Sequence, residues 1–226
     1  MKNDYSKRSM PLNWGVSKSL TTSLLLLKFS TIKIKQMQTF SIRALDIIFS
    51  LVGIICSLPL MLLIFILGYF DNRSPLFFQQ RVGKNQKLFT LVKFRTMAVH
   101  THSVGTHLVD ASSITRFGRF MRKSKFDELP QLFNVMLGQM SLVGPRPCLA
   151  NQTELVKERA KRGVFDVLPG ITGLAQIYHV DMSTPRKLAR YDQITIKRLN
   201  PGLYGKLIIA TALGKGRGDR VRKVQG

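Results

Sequence analysis

The hydrophobic positions of this chain fall into one long unbroken run and several short periodic ones. From Ile47 to Phe70 the segment IIFSLVGIICSLPLMLLIFILGYF carries no charge over twenty-four residues. At ~1.5 Å per residue that is enough helix to cross a ~30 Å hydrocarbon layer. Pro59, near its middle, removes a backbone hydrogen bond and favours a kink, and Ser57 is placed to bond a freed carbonyl. Farther on, Leu129, Leu132, Phe133, Met136 and Leu137 recur at i, i+3, i+4, i+7 and i+8, which predicts one apolar helical face. Pro130 suits an early position in that helix, where no N–H is needed. Phe77–Arg81 and Phe89–Phe94 read as short strands, with Val82-Gly83-Lys84-Asn85 as the turn between them. Gly202–Leu213 is short and apolar and precedes a basic tail, the pattern of a helix lying on a membrane surface. The pattern thus predicts an α+β chain, a small helix-rich domain with a short β-hairpin behind an apolar, proline-broken helix.

Charge narrows the partners. Thirty-five Lys and Arg face twelve Asp and Glu in 226 residues, a formal net charge of +23. Such an excess calls for an anionic partner, and nucleic acid, anionic lipid and phosphorylated substrates all qualify. It is concentrated at both ends, with eight basic residues in residues 1–43 and five more from Lys215 to Lys223. Cys56 and Cys148 are the only cysteines, so neither a disulfide framework nor a cysteine-based zinc site is indicated. Lys33, Lys35 and Arg43 flank the apolar run on one side and Arg73, Arg81, Lys84 and Lys87 on the other. Cations on both sides give the positive-inside rule no direction. A spanning helix and one that enters, bends at Ser57-Leu58-Pro59 and returns to the same face both fit. Leu20–Phe29 is too short to span, and residues 1–36 carry no assigned function. The expected organisation is a basic extension over 1–41, whose composition allows disorder, then a membrane helix over 42–71, a soluble domain over 72–214 and a basic tail over 215–226.

Candidate chemistry centres on KSKFDELPQLFNVMLGQMSLVGPRP, Lys123 to Pro147. Asp127 and Glu128 are expected at the positive end of the helix, where free N–H groups and the dipole favour anions and keep a carboxylate ionised. The prolines around Arg146, Pro145 and Pro147, fix the backbone, so little freedom is lost when the guanidinium clamps a phosphate. A hairpin would gather Arg81, Lys93 and Arg95 into a cationic group suited to phosphate oxygens, although the same residues read alone as solvated strand-edge charges. Arg116, Arg119 and Arg122 share a helical face, and Arg122, nearest the carboxylates, is a further candidate phosphate contact. Thr172 and Gln176 lie in LPGITGLAQ, a turn-rich loop that is a weak ligand-site signal. His100, His102 and His107 read as loop histidines, because no third metal ligand is suitably spaced.

Five blocks in this order resemble the bacterial sugar transferase family, the monotopic polyprenyl-phosphate phosphoglycosyl transferases. They are the proline-broken apolar helix, QQRVG, KFRTM, TRFGRFMRKSKFDELPQLFNVMLGQMSLVGPRP and PGITGLAQI, together covering roughly Ile42 to Val221. The chain looks like the minimal form of that family. The resemblance implies transfer of a sugar-1-phosphate from a UDP-sugar to undecaprenyl phosphate, with release of UMP. It implies Asp127 as nucleophile and Mg²⁺ ligand, and Glu128 either positioning the metal or accepting a proton. Arg146 would hold a phosphate, with Lys93, Arg95 and Arg122 in support. It also implies a re-entrant helix broken at Ser57 and Pro59, a domain on the cytoplasmic face of the bacterial inner membrane, and contact with anionic lipid. No nucleic acid is expected. The oligomeric state stays open, a homodimer among the states considered. Leu58 stands where the family often has serine, Leu168 where it often has arginine, and Tyr178-His179-Val180-Asp181 where Asn-Gly-Arg is common. A membrane-tethered binding protein for nucleic acid or anionic lipid is the competing reading, resting on charge alone. A scaffold with a dead site is disfavoured because the dyad and Arg146 are both present.

Overall fold

A computed structural model describes residues 18–99, 101 and 111–216, with the backbone alone for residues 18–39 and 111. His100, His102, His107 and the tail cations from Arg217 onward lie outside the described residues. The chain divides into two compact units, Met1–Thr39 and Phe40–Gly226. Helix α1, Lys18–Asn72, gives the first unit helical backbone from Lys18, where composition allows disorder. The second unit takes in the apolar stretch Phe40–Asn72 and everything after it.

That stretch is long and apolar enough to cross a membrane. One stripe of it, at helical spacing, faces the rest of the unit. Asp46, Ser50, Met61 and Ile64 are buried, Gly53 packs against Leu132, and Gly68 packs against Pro75 and Phe117. Ile48, Val52, Ile55, Leu62, Ile66 and Phe70 on other faces are exposed. Pro59 lies inside α1 without ending it, so the expected break does not interrupt the helix. The Ser57 hydroxyl donates to the Gly53 carbonyl at 2.6 Å, the ordinary back-bond to residue i−4. Ile55, whose i+4 partner is the proline, is not its acceptor.

The predicted hairpin forms. Strands β1, Leu76–Val82, and β2, Leu88–Phe94, pair antiparallel, with Phe77 opposite Lys93 and Arg81 opposite Phe89. Helix α2, Arg116–Ser124, starts at Thr115, whose hydroxyl accepts from the Gly118 N–H at 2.8 Å. Gly118 sits so close to the Thr96 backbone that an added Cβ would lie 2.0 Å from its carbonyl oxygen. Lys125 then takes the left-handed region at φ 61° and turns the chain into a 3₁₀ turn, Phe126–Glu128.

Helix α3, Gln131–Met136, is only six residues long, and it buries a different face from the one the apolar period predicts. Gln131, Asn134 and Val135 point inward, while Phe133 is 43% and Leu137 73% exposed. The reason is Asn134. Its amide donates to the Thr90 carbonyl at 2.8 Å and its carbonyl accepts from the Val92 N–H at 3.1 Å, fastening α3 to β2. The apolar residues are left facing α1 and the surface.

A second sheet goes beyond what the sequence pattern predicts. Strands β3, Ser141–Val143, and β4, Gly170–Thr172, pair in parallel. Gly144 and Gly170 meet backbone to backbone, and an added Cβ on Gly170 would lie 2.0 Å from the Gly144 nitrogen. Around them lie α4, Thr153–Ala160, α5, Leu174–Ile177, α6, Pro185–Arg198, and α7, Pro201–Ala212. The surface helix expected at Gly202–Leu213 is instead partly core. Tyr204 and Leu207 of α7 are buried beside Val143, Ile42 and Leu45, although Ile209 and Leu213 stay exposed.

Candidate active site

The dyad lies in the 3₁₀ turn ahead of α3 rather than in the first turn of a long helix. Asp127 points inward and is 8% exposed. Burial, helped by the neighbouring Glu128 charge, pushes its carboxyl up to about 6, while Lys93, Arg122 and Arg146 pull the other way. The carboxyl is still largely ionised at neutral pH, but it is shifted upward rather than held down by a helix dipole. Desolvation outweighs it, because a six-residue helix has little dipole to offer and the cations only partly compensate.

Lys93 reaches the same place from β2. Burial first, then Arg81, Arg122 and Arg146, lower its ammonium to about 8, against the pull of Asp127. Its Nζ lies 5.3 Å from the centre of the Phe77 ring. Glu128 has a definite partner, since Arg146 Nη2 donates to its Oε1 at 2.7 Å. Asp127, Glu128, Lys93, Arg122 and Arg146 are thus brought into one electrostatic cluster.

Other candidates have different engagements. Arg81 is buried, with Nη1 donating to the Pro147 carbonyl at 3.0 Å and Nη2 to Gln79 Oε1 at 2.6 Å. It braces the Pro-Arg-Pro turn. Arg95 donates to the carbonyls of Ser74 and Leu76 at 2.9 and 3.2 Å and lies over Phe77, sharing that ring with Lys93. The Thr172 hydroxyl pairs with that of Thr211 at 2.6 Å, and the Gln176 amide donates to the Ile171 carbonyl at 3.0 Å. These two fasten β4 and α5 to their surroundings. Pro145 and Pro147 are both buried.

Three residues that sequence reasoning passed over support this cluster. Arg43 donates to the carbonyls of Val135 and Met136 at 2.9 and 3.2 Å, capping the end of α3. Asp46 Oδ1 accepts from Ser141 Oγ at 2.9 Å, the Leu142 N–H at 2.8 Å and the Tyr204 hydroxyl at 2.8 Å. Arg159, buried in α4, donates from Nη1 to the Arg146 carbonyl at 2.8 Å. Their partners are distant in sequence, so no local motif announces them.

Comparison with known proteins gives the family. The family described as Bacterial sugar transferase matches residues 37–215. A sugar transferase of Bacillus subtilis, EpsL, is 51% identical over 105 residues, 46% of this chain and 52% of that protein. The UDP-glucose:undecaprenyl-phosphate glucose-1-phosphate transferase of Xanthomonas campestris is 38% identical over 182 residues, 74% of this chain and 37% of the relative. The undecaprenyl-phosphate galactose phosphotransferase of Salmonella typhimurium is 34% identical over 190 residues, 76% of this chain and 40% of the relative. The chain spans about half or less of the length of these relatives. A match over residues 37–215 takes in the apolar helix, the hairpin, the dyad and the Pro-Arg-Pro turn alike, and the chain belongs to the bacterial sugar transferase family.

Proposed function

We propose that this protein transfers a sugar-1-phosphate from a UDP-sugar to undecaprenyl phosphate through a covalent intermediate on Asp127. The observation that carries this is a buried carboxylate set among Lys93, Arg122 and Arg146. A nucleophile for phosphorus needs a carboxylate that is ionised at working pH, and cations to receive the phosphate oxygens. An Asp127 oxygen attacks the phosphorus that bears the sugar, and the bond from that phosphorus to UMP breaks. An oxygen of undecaprenyl phosphate then attacks the same phosphorus, the bond to Asp127 breaks, and the carboxylate is restored. The product is a lipid diphosphate sugar. Arg146 holds a phosphate, Lys93 and Arg122 face the same charge, and Glu128 orients Arg146 through their ion pair.

The donor set fits Mg²⁺. That ion takes one or two carboxylates plus substrate phosphates rather than a cage made of protein alone, and Asp127 and Glu128 are adjacent. Among the described residues no group of three or more His, Cys, Asp and Glu is gathered for a metal. Asp127 would hold the ion, which supplies neutralisation of charge on the departing UMP.

Purified protein incubated with a panel of UDP-sugars, Mg²⁺ and undecaprenyl phosphate is expected to release UMP with at least one donor. Absence of UMP with every donor, from folded protein, would refute the reading.

The same reading includes a re-entrant α1 on the cytoplasmic face of the inner membrane, in contact with anionic lipid. Support comes from both ends of its apolar stretch. Arg43 and Asp46 bond to the end of α3 and to β3, while Gly68 packs against Pro75 and Phe117 of the same unit. A helix crossing the bilayer would carry one of those ends to the far side. Cysteines placed at Lys35 and Arg73 are expected to react with an impermeant thiol reagent from the same side of sealed vesicles. Labelling from opposite sides would establish a span instead.

A further inference from the structure

The Pro-Arg-Pro turn cannot hold itself together. Pro145 and Pro147 have no N–H to donate, yet the carbonyls of four consecutive residues are each met by a donor from elsewhere. Gly170 N–H reaches Pro145 at 2.8 Å, Arg159 Nη1 reaches Arg146 at 2.8 Å, Arg81 Nη1 reaches Pro147 at 3.0 Å, and Val82 N–H reaches Cys148 at 2.9 Å. Two of the four donors are buried guanidinium groups.

Arg159 is 1% exposed and ion-paired with one carboxylate, to which Nε donates a hydrogen bond while Nη2 lies within ion-pair distance without one. Nε and Nη2 lie 2.9 and 2.8 Å from Oδ2 of Asp192, an equally buried residue of α6. A buried ion pair is a weak source of stability, because desolvating both charges offsets most of their attraction, and apolar residues of similar volume often serve as well. The third arm of Arg159 distinguishes this pair. It ends on the main chain of Arg146, whose side chain bonds Glu128 beside Asp127.

We propose that Arg159 and Asp192 form a positioning pair that fixes the Arg146 backbone and so aims its guanidinium at the phosphate-binding side of the dyad. Asp192 orients the Arg159 fork, and the fork holds the carbonyl. This rests on the reading of Arg146 as a phosphate clamp.

The test uses UDP, a diphosphate that carries no sugar to transfer, with affinity measured by calorimetry on the purified full chain in Mg²⁺. Arg159→Met combined with Asp192→Leu removes both charges and keeps the volume, so that no unpaired charge is left buried. This double variant is expected to stay folded by circular dichroism and to bind UDP about tenfold more weakly. In an Arg146→Ala background the same two substitutions are expected to cause no further loss, the signature of residues acting through Arg146. Should the double variant fail to fold, Arg159→Lys replaces it. A single ammonium lacks the fork that serves Asp192 and the carbonyl together, and the same dependence on Arg146 is expected. Unchanged UDP affinity in a folded variant, or an equal loss in both backgrounds, would overturn the proposal. If Arg146→Ala alone leaves UDP affinity unchanged, the phosphate-clamp reading itself falls, a result distinct from failure of the positioning pair.

Discussion

An Asp127→Asn variant is expected to lose UMP release by at least about 10³-fold, the scale seen when a covalent nucleophile is removed, and to melt at a higher temperature than the parent. Both effects have one cause. Burial raises the Asp127 carboxyl from 3.8 to about 6, so the folded state holds the proton more tightly than the unfolded chain does. Stability from this group is full below about 4 and is lost as pH rises through 6. At pH 7.5 the parent therefore holds an ionised carboxylate at a cost to its fold, and asparagine, neutral throughout, escapes that cost. Melting curves without divalent cations should show the variant ahead at pH 7.5 and the gap closing as pH falls toward 4. A variant that melts no higher than the parent at pH 7.5 would show that the cations fully offset burial. One that releases UMP at the parent rate would end the nucleophile assignment.

How much of this was legible in the sequence varies with distance along the chain. The hairpin was readable because two short phenylalanine-led runs flank residues suited to a turn, and Arg81 falls opposite Phe89 in the resulting register. The Asp127–Arg146 region was readable because its charged residues and prolines lie within twenty residues. The inward face of α3 was not. Periodicity assigns apolar residues to the core, but here some of them face the apolar stretch of α1 and the surface, and a single asparagine with two backbone partners decides which way α3 turns.

Arginine was the hardest residue to place. Arg122 and Arg146 read as candidate phosphate contacts, and Arg81 and Arg95 as either part of a phosphate-binding cationic group or solvated strand-edge charges, yet Arg81 and Arg95 hold backbone carbonyls. A guanidinium can donate to a carbonyl as well as to a phosphate, and which it meets depends on which main chain passes nearby. Arg159 with Asp192, and Asp46 with Tyr204, are pairs joined only by tertiary structure.

Asp46→Ala is expected to produce the largest loss of stability among these sites. Its Oδ1 accepts from Ser141, Leu142 and Tyr204, and Tyr204 is fully buried. Removing the acceptor leaves three donors without it, each worth about 1–3 kcal/mol when buried and unsatisfied. For a chain of this size the melting temperature should fall by roughly 10 °C. Asp46→Asn keeps an oxygen at the same place and should lose about a third as much, since only the strengthening from charge disappears. The comparison separates the bonding role from the charge, because alanine and asparagine both remove the charge but only alanine removes the acceptor. Melting of the two variants in the same detergent decides it. Equal losses would mean that the charge rather than the three bonds joins α1 to β3 and α7. A loss below about 2 °C for alanine would mean that the helix is held to the unit by its apolar stripe alone, through Met61, Ile64 and their neighbours.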